Sequence, residues 1–236
     1  MHSVRIPQHV IDRVTKRRGR EHIFDDLKPA STALLVVDMQ NAFLMPGVAH
    51  AVVEQAQEIV PNINEIARTI RMTGGIVVWI KTTFTEDSLS SWSTFYGMSS
   101  PERNAKRIAA LTKGSIGHEL WADLDVKADD LTVEKTRYSA FTEGSSNLSN
   151  VLSARGITSV IVTGTLTNVC CDSTARDAMM LNFKPIMITD GNAAATDDDH
   201  NASLAQFYLT FGDIMSTDMV ISCLERNAEG HRRAAE

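Results

Sequence analysis

Two short runs of this chain, Ala33–Val37 and Ile76–Ile80, are apolar at every position. A strand with one face in water alternates polar and apolar residues, so an unbroken run calls for a strand covered on both faces. Val160–Val162 is a third such run and Leu131–Val133 a shorter candidate. Between the first two, Val53, Ala56, Ile59, Val60, Ile63, Ile66, Ala67 and Ile70 recur at helical spacing. After the third, Ala175, Ala178, Met179 and Leu181 do the same. Strands alternating with helices give a parallel sheet with helices on both faces.

The rest of the chain fits this frame. Pro61 kinks the first helical segment or starts its second part, and Gly74-Gly75 closes it. Ser145-Ser146 caps a helix that runs to Arg155 and ends at Gly156. Gly164 breaks the Val160 run, and a helix starts near Cys170. Lys184–Ile188 reads as a fifth strand, Asp190-Gly191 as a turn, and Asp197–Asp199 as the cap of a helix to Phe211. Met219–Ser222 reads as a last strand. Residues 1–29 form an arm or short helix over a single domain of residues 30–224, and residues 225–236 a polar, frayed tail. Residues 82–130 are too long for a plain loop and read as a cover over the strand ends, with a short helix after Pro101.

Composition narrows the function classes. A net charge of -6 argues against a nucleic-acid partner, and the basic cluster of Lys16, Arg17, Arg18 and Arg20 reads as a solvated arm. No apolar run is long enough to suggest a membrane span, and no signal-peptide core is present, so a cytoplasmic location is expected. Three cysteines, two of them adjacent, are no disulfide framework and fit a reducing compartment.

In parallel sheets, ligands bind beyond the carboxyl ends of the strands. Asp38, Lys135 and Cys170 all fall at or just past such ends. A cysteine at a strand-to-helix turn meets the free N–H groups and positive dipole end of the helix, which lower a thiol pKa. Asp38 can take the thiol proton and pass it to a leaving amine; Lys135 can stabilise the thiolate and the ionised carboxylate. Backbone N–H groups near Leu166 and Cys170 can hold an oxyanion. The reaction that uses all of these is acyl transfer to water through a thioester, on a small amide or ureido compound, with release of ammonia. Asn41, Phe43, Tyr138 and Gln206 are candidate substrate contacts. His118 and His200 read as surface or capping residues rather than ligands. A serine-hydrolase elbow and a dinucleotide-binding glycine motif are both missing.

The segments around Asp38 (Ala-Leu-Leu-Val-Val-Asp-Met-Gln-Asn-Ala-Phe), Lys135 (Glu-Lys-Thr-Arg-Tyr-Ser-Ala-Phe) and Cys170 (Gly-Thr-Leu-Thr-Asn-Val-Cys-Cys-Asp-Ser-Thr) resemble the isochorismatase-like superfamily, in its cysteine-hydrolase branch. The resemblance implies a three-layer α-β-α fold with a six-stranded, mostly parallel, doubly wound sheet, in a homo-oligomer such as a dimer or tetramer. It implies an Asp38-Lys135-Cys170 triad, with Cys170 rather than Cys171 as nucleophile, and a cis peptide at Thr165-Leu166. Lys81–Asp87 carries no histidine where the nicotinamidases have a metal ligand, so neither metal nor other cofactor is expected. The motifs look closest to ureidoacrylate, carbamoylsarcosine and biuret amidohydrolases, which cleave a carbamoyl or ureido group. Two other readings stand beside this one. One is a vinyl-ether hydrolase of isochorismatase type that uses Asp38. The other is a non-catalytic scaffold with a redox-active Cys170-Cys171 pair.

Overall fold

The computed structural model describes residues 1–48 and 51–235, with side chains described through Ala228. Six strands form one sheet: β1 (Thr32–Val37), β2 (Ile76–Thr82), β3 (Leu131–Lys135), β4 (Ser159–Thr165), β5 (Lys184–Ala193) and β6 (Asp213–Met215). The order is β3-β2-β1-β4-β5-β6 and every pairing is parallel. The helices are α1 (Gln8–Arg18), α2 (Asn41–Leu44), α3 (Val60–Thr73), α4 (Ser88–Ser91), α5 (Ser93–Gly97), α6 (Pro101–Leu111), α7 (Leu148–Ser153), α8 (Asp172–Met180), α9 (Asp197–Thr210) and α10 (Thr217–Ala235). No described helix is long and apolar enough to cross a membrane.

The unbroken apolar runs have a simple cause. Along β1, Leu34 and Val36 enter one core with Ile63, Ile66 and Ile70 of α3 and Val220 and Leu224 of α10. Ala33, Leu35 and Val37 enter the opposite core with Val14 of α1, Leu152 of α7, Ala175 of α8 and Phe207 of α9. Both faces are therefore dry, and each fully buried Leu, Val or Ile contributes about 1.5–3 kcal/mol. Pro61 lies in the first turn of α3, where a missing N–H has no cost, and Gly74 ends the helix in the left-handed conformation.

Several boundaries differ from expectation. Gly164 does not end β4. It sits inside the strand at φ +114, and a Cβ there would lie 2.1 Å from the Val37 carbonyl oxygen. Asp190-Gly191 is not a turn, because β5 continues through it to Ala193. The ladder register shifts between Val162 and Gly164, and Asn192 spans the irregularity by donating to the Val162 and Ile188 carbonyls at 2.9 and 2.7 Å. Ser146 caps α7 as expected, its Oγ accepting from the Leu148 N–H at 3.1 Å, while the Ser145 and Ser146 hydroxyls donate to the Ser139 and Ala140 carbonyls and fold the loop after β3 back on itself. The cap of α9 is Thr196, whose hydroxyl accepts from the Asp199 N–H.

The largest correction is at the C-terminal end. Met219–Ser222 is helical, and the sixth strand is Asp213–Met215. Ser216 accepts from the Met219 N–H as an N-cap. Thr217 donates from both its N–H and its hydroxyl to Asp190, pinning the start of α10 to β5. Val220, Cys223 and Leu224 are then buried at helical spacing. The expected tail is a continuation of α10, with residue 236 outside the described residues.

Candidate active site

The strand order brings the carboxyl ends of β3, β2, β1 and β4 side by side. Lys135 ends β3 and Thr82 ends β2, while Asp38 directly follows β1. Asp38 leaves the strand in the left-handed region at φ 53, a conformation that aspartate tolerates better than most residues. The Lys135 ammonium donates to Asp38 Oδ2 at 2.8 Å, to Thr82 Oγ1 at 2.6 Å and to the Arg137 carbonyl at 3.1 Å. Thr82 Oγ1 in turn donates to Asp38 Oδ1 at 2.9 Å. Both carboxylate oxygens and all three ammonium hydrogens are thus partnered. Lys135 and Asp38 are 0% exposed, so this is a fully buried ion pair.

Gln40 fixes the neighbouring backbone. Its Oε1 accepts from the Thr82 N–H at 2.7 Å, and its Nε2 donates to the Thr82 and His118 carbonyls. Sequence reasoning missed Thr82 and Gln40. Their only signals are a threonine at a strand end and a glutamine two residues after the carboxylate. Neither is specific.

Cys170 lies in a wide turn, Thr167–Cys171, between β4 and α8. The Leu166 carbonyl accepts from the N–H groups of Val169 and Cys171, both at 3.1 Å. The Thr165-Leu166 peptide bond is cis, as the resemblance implied. Helix α9 holds the turn from behind. His200 is buried, not at the surface, and its Nδ1 meets Thr167 Oγ1 at 2.9 Å. Its Nε2 lies 2.9 Å from the Thr189 carbonyl, which can only accept. Nε2 therefore carries the proton and Nδ1 accepts from the threonine. Burial, aided by neighbouring His2, pushes His200 down to about 4 and keeps it neutral. His118 is likewise buried, with Nε2 2.8 Å from Thr83 Oγ1.

The electrostatics of the thiol differ from expectation. Burial pushes Cys170 up, and this outweighs the Lys135 ammonium, which pulls it down. Asp38, as a charge and as an acceptor for the thiol hydrogen, adds to the upward push. The resting group is therefore a neutral thiol beside a carboxylate, not a free thiolate. Lys135 is raised: burial alone would lower it, but the Asp38 charge prevails. Cys171 is fully buried, and its Sγ contacts the Thr163 carbonyl at 3.8 Å.

Cys170 opens onto a cavity of about 160 Å³. Phe43, Tyr138 and Leu166 line it, together with Trp92, Phe95 and Tyr96 from the 82–130 segment. Trp92 and Phe95 stack at 4.0 Å, and Tyr138 stands edge-on to both at 5.0 and 5.5 Å. Asn41 and Gln206 do not line it. Asn41 Nδ2 donates to the Ile116 carbonyl at 2.9 Å, and Gln206 lies in a separate surface recess with Arg13 and Arg17.

The Isochorismatase domain signature matches residues 32–219. The chain belongs to the isochorismatase family. Among its relatives, a probable inactive nicotinamidase of Arabidopsis thaliana is 32% identical over 74% of this chain and 86% of its own length. A ureidoacrylate amidohydrolase of Acinetobacter baylyi is 29% identical over 93% of this chain and 97% of its own. A crystal structure of a cysteine hydrolase from Pseudomonas syringae pv. phaseolicola superposes with a TM-score of 0.76 at 29% identity, covering 86% of this chain and 96% of that one. The fold is thus the isochorismatase-like α-β-α sandwich, and the relatives include enzymes that hydrolyse C–N bonds.

Proposed function

We propose that this isochorismatase-family chain is a cysteine-dependent amidohydrolase acting on a small ureido, carbamoyl or amide compound. The observation that carries the reading is a buried Cys170 side chain at the wall of a small cavity, backed by a buried Asp38–Lys135 ion pair.

The geometry suits general-base activation rather than a preformed thiolate. As Cys170 Sγ bonds to the substrate carbonyl carbon, its proton passes to Asp38. The carbonyl oxygen becomes an oxyanion, for which the N–H groups of Leu166 and Cys170 are the donors. Collapse breaks the C–N bond, and Asp38 returns the proton to the departing nitrogen, which leaves as ammonia. A water then gives its proton to Asp38 and attacks the thioester, freeing the acid and restoring the thiol. Lys135 stays charged throughout. It offsets the negative charge shared by Asp38 and the reacting centre, and with Thr82 it keeps the carboxylate aimed. Phe43 and Tyr138 flank the substrate.

The test is ammonia release from biuret, ureidoacrylate, carbamoylsarcosine, maleamate and nicotinamide, with wild type and Cys170→Ala, with and without chelator. The expected result is turnover of a ureido or carbamoyl compound that chelator leaves unchanged and the substitution abolishes. Full activity in Cys170→Ala would overturn the thioester mechanism and favour a vinyl-ether hydrolase that relies on Asp38. Chelator-sensitive turnover of nicotinamide would overturn the metal-free reading.

A further inference from the structure

The cavity wall opposite in character to its aromatic lining is cationic. Arg103, Arg107 and Arg137 all reach it, and no aspartate or glutamate is among its described lining residues. This stands out in a chain of net charge -6. The three arginines are not equivalent. Arg137 is tied down: its Nη atoms donate to Ser91 and Thr136, and it packs over the Trp92 ring. Arg103 is exposed on α6.

Arg107 is the unusual one. It is only 7% exposed, yet among the described residues it makes no ion pair. Its hydrogen bonds are to Asn104 Oδ1 at 2.9 Å and, weakly, to Ser99 Oγ at 3.5 Å. These occupy two of its five N–H donors. The guanidinium carbon lies over the Phe95 ring, 4.2 Å from its centroid, a contact that holds the group without neutralising its charge. Burial and neighbouring Arg103 both work against the charge, and burial leaves Arg107 below its ordinary value. A buried cation without a counter-ion is costly unless an anion joins it. A planar fork with open donors matches a carboxylate in two parallel hydrogen bonds.

We propose that Arg107 is the specificity residue of this site, receiving a carboxylate on the substrate away from the bond that Cys170 attacks. The substrate is then a short amido or ureido acid, not a neutral amide. This rests on the amidohydrolase reading for the identity of the reacting end, but the carboxylate subsite can be tested without turnover. The cover segment gains a role from the same contact. Asn104, Ser99 and Phe95 hold the guanidinium, so an anion bound there would rest on the α5–α6 part of the cover.

The experiment compares ureidoacrylate with its methyl ester, and succinate with succinamide. Wild type, Arg107→Gln and Arg107→Lys are assayed for hydrolysis of the first pair and, by titration calorimetry, for binding of the second. Wild type is expected to prefer the acid over the ester by roughly 10- to 100-fold in kcat/KM, the worth of a hydrogen bond to a charged group. In Arg107→Gln that ratio falls toward one, mainly through a higher KM for the acid, and Arg107→Lys restores part of it. Succinate should bind wild type and not Arg107→Gln, while succinamide should bind neither measurably. An acid-to-ester ratio near one in wild type, or one unchanged in Arg107→Gln, would overturn the proposal. If wild type hydrolyses neither compound, the amidohydrolase reading loses support and the succinate titration alone decides the subsite. Equal succinate binding by wild type and Arg107→Gln, or none by either, would overturn it. A melting temperature for Arg107→Gln matching wild type excludes misfolding as the cause of a loss.

Discussion

Replacing Lys135 by methionine gives the sharpest test of the buried ion pair. The ammonium and the Asp38 carboxylate are 2.8 Å apart and 0% exposed. Methionine fills most of the space but leaves Asp38 buried with only the neutral donors Thr82 and the Cys170 thiol. Removing one partner of such a pair costs about 3–5 kcal/mol, because the other is left uncompensated. Domains are stable by about 5–15 kcal/mol, so the loss is a large fraction of the total. Replacing both partners removes the uncompensated charge, so Asp38→Leu/Lys135→Met should recover most of the stability while remaining inactive. Urea unfolding followed by circular dichroism measures all of these. Near-wild-type stability in Lys135→Met, within about 0.5 kcal/mol, would refute the reasoning. So would a double variant that loses as much as the two single variants added together. The pair also has a defined pH range. Lys135 is raised in the folded state, so its contribution is complete below the ordinary lysine value and is lost only as pH rises past it.

Other outcomes follow from the same structure. His200 is held at about 4, so the unfolded chain takes up a proton first as pH falls below about 6.5. Stability should therefore decline between those values by on the order of 3 kcal/mol, and His200→Gln should flatten the decline in urea titrations at several pH values. Gly164→Ala would set a Cβ 2.1 Å from the Val37 carbonyl oxygen and force a non-glycine into φ +114. A loss of about 1–3 kcal/mol is expected from the backbone strain, with the clash adding to it, read as a lower urea midpoint. Because burial raises Cys170, its alkylation by iodoacetamide in the ligand-free enzyme should not exceed that of a free thiol at pH 8, and should climb only at more alkaline pH.

Much of this was legible in the sequence, for identifiable reasons. Ala33–Val37 and Ile76–Ile80 read as doubly covered strands because side chains on both faces are apolar, and that pattern is intrinsic to the segment. Asp38, Lys135 and Cys170 could be placed at strand ends because each closely follows such a run. What failed depends on contacts distant in the chain. Met219-Val220-Ile221-Ser222 has strand-like composition but is helical, because Ser216 caps it and Asp190 anchors Thr217. The lowered thiol expected at a helix start gave way to burial, which no local pattern reports. Asn41 and Gln206 looked like pocket residues by chemistry, yet each faces elsewhere. The role proposed for Arg107 was invisible because it rests on what that residue lacks among the described residues, a counter-ion, and no one-dimensional pattern records that.

The order of the strands carries one more consequence. Lys135, Thr82, Asp38 and Cys170 come from four neighbouring strand ends, β3, β2, β1 and β4, yet lie as far apart in sequence as Asp38 and Cys170. The first three precede the exposed Glu143-Gly144 link and the cysteine follows it. A chain cut there divides the proposed base from the proposed nucleophile, and neither half holds the complete proposed centre. β4 must zip against β1 to reunite them, through the register that pairs Gly164 with Val37. Two separately expressed halves would therefore be silent alone and signal only on reassociation, which makes this fold a natural split reporter.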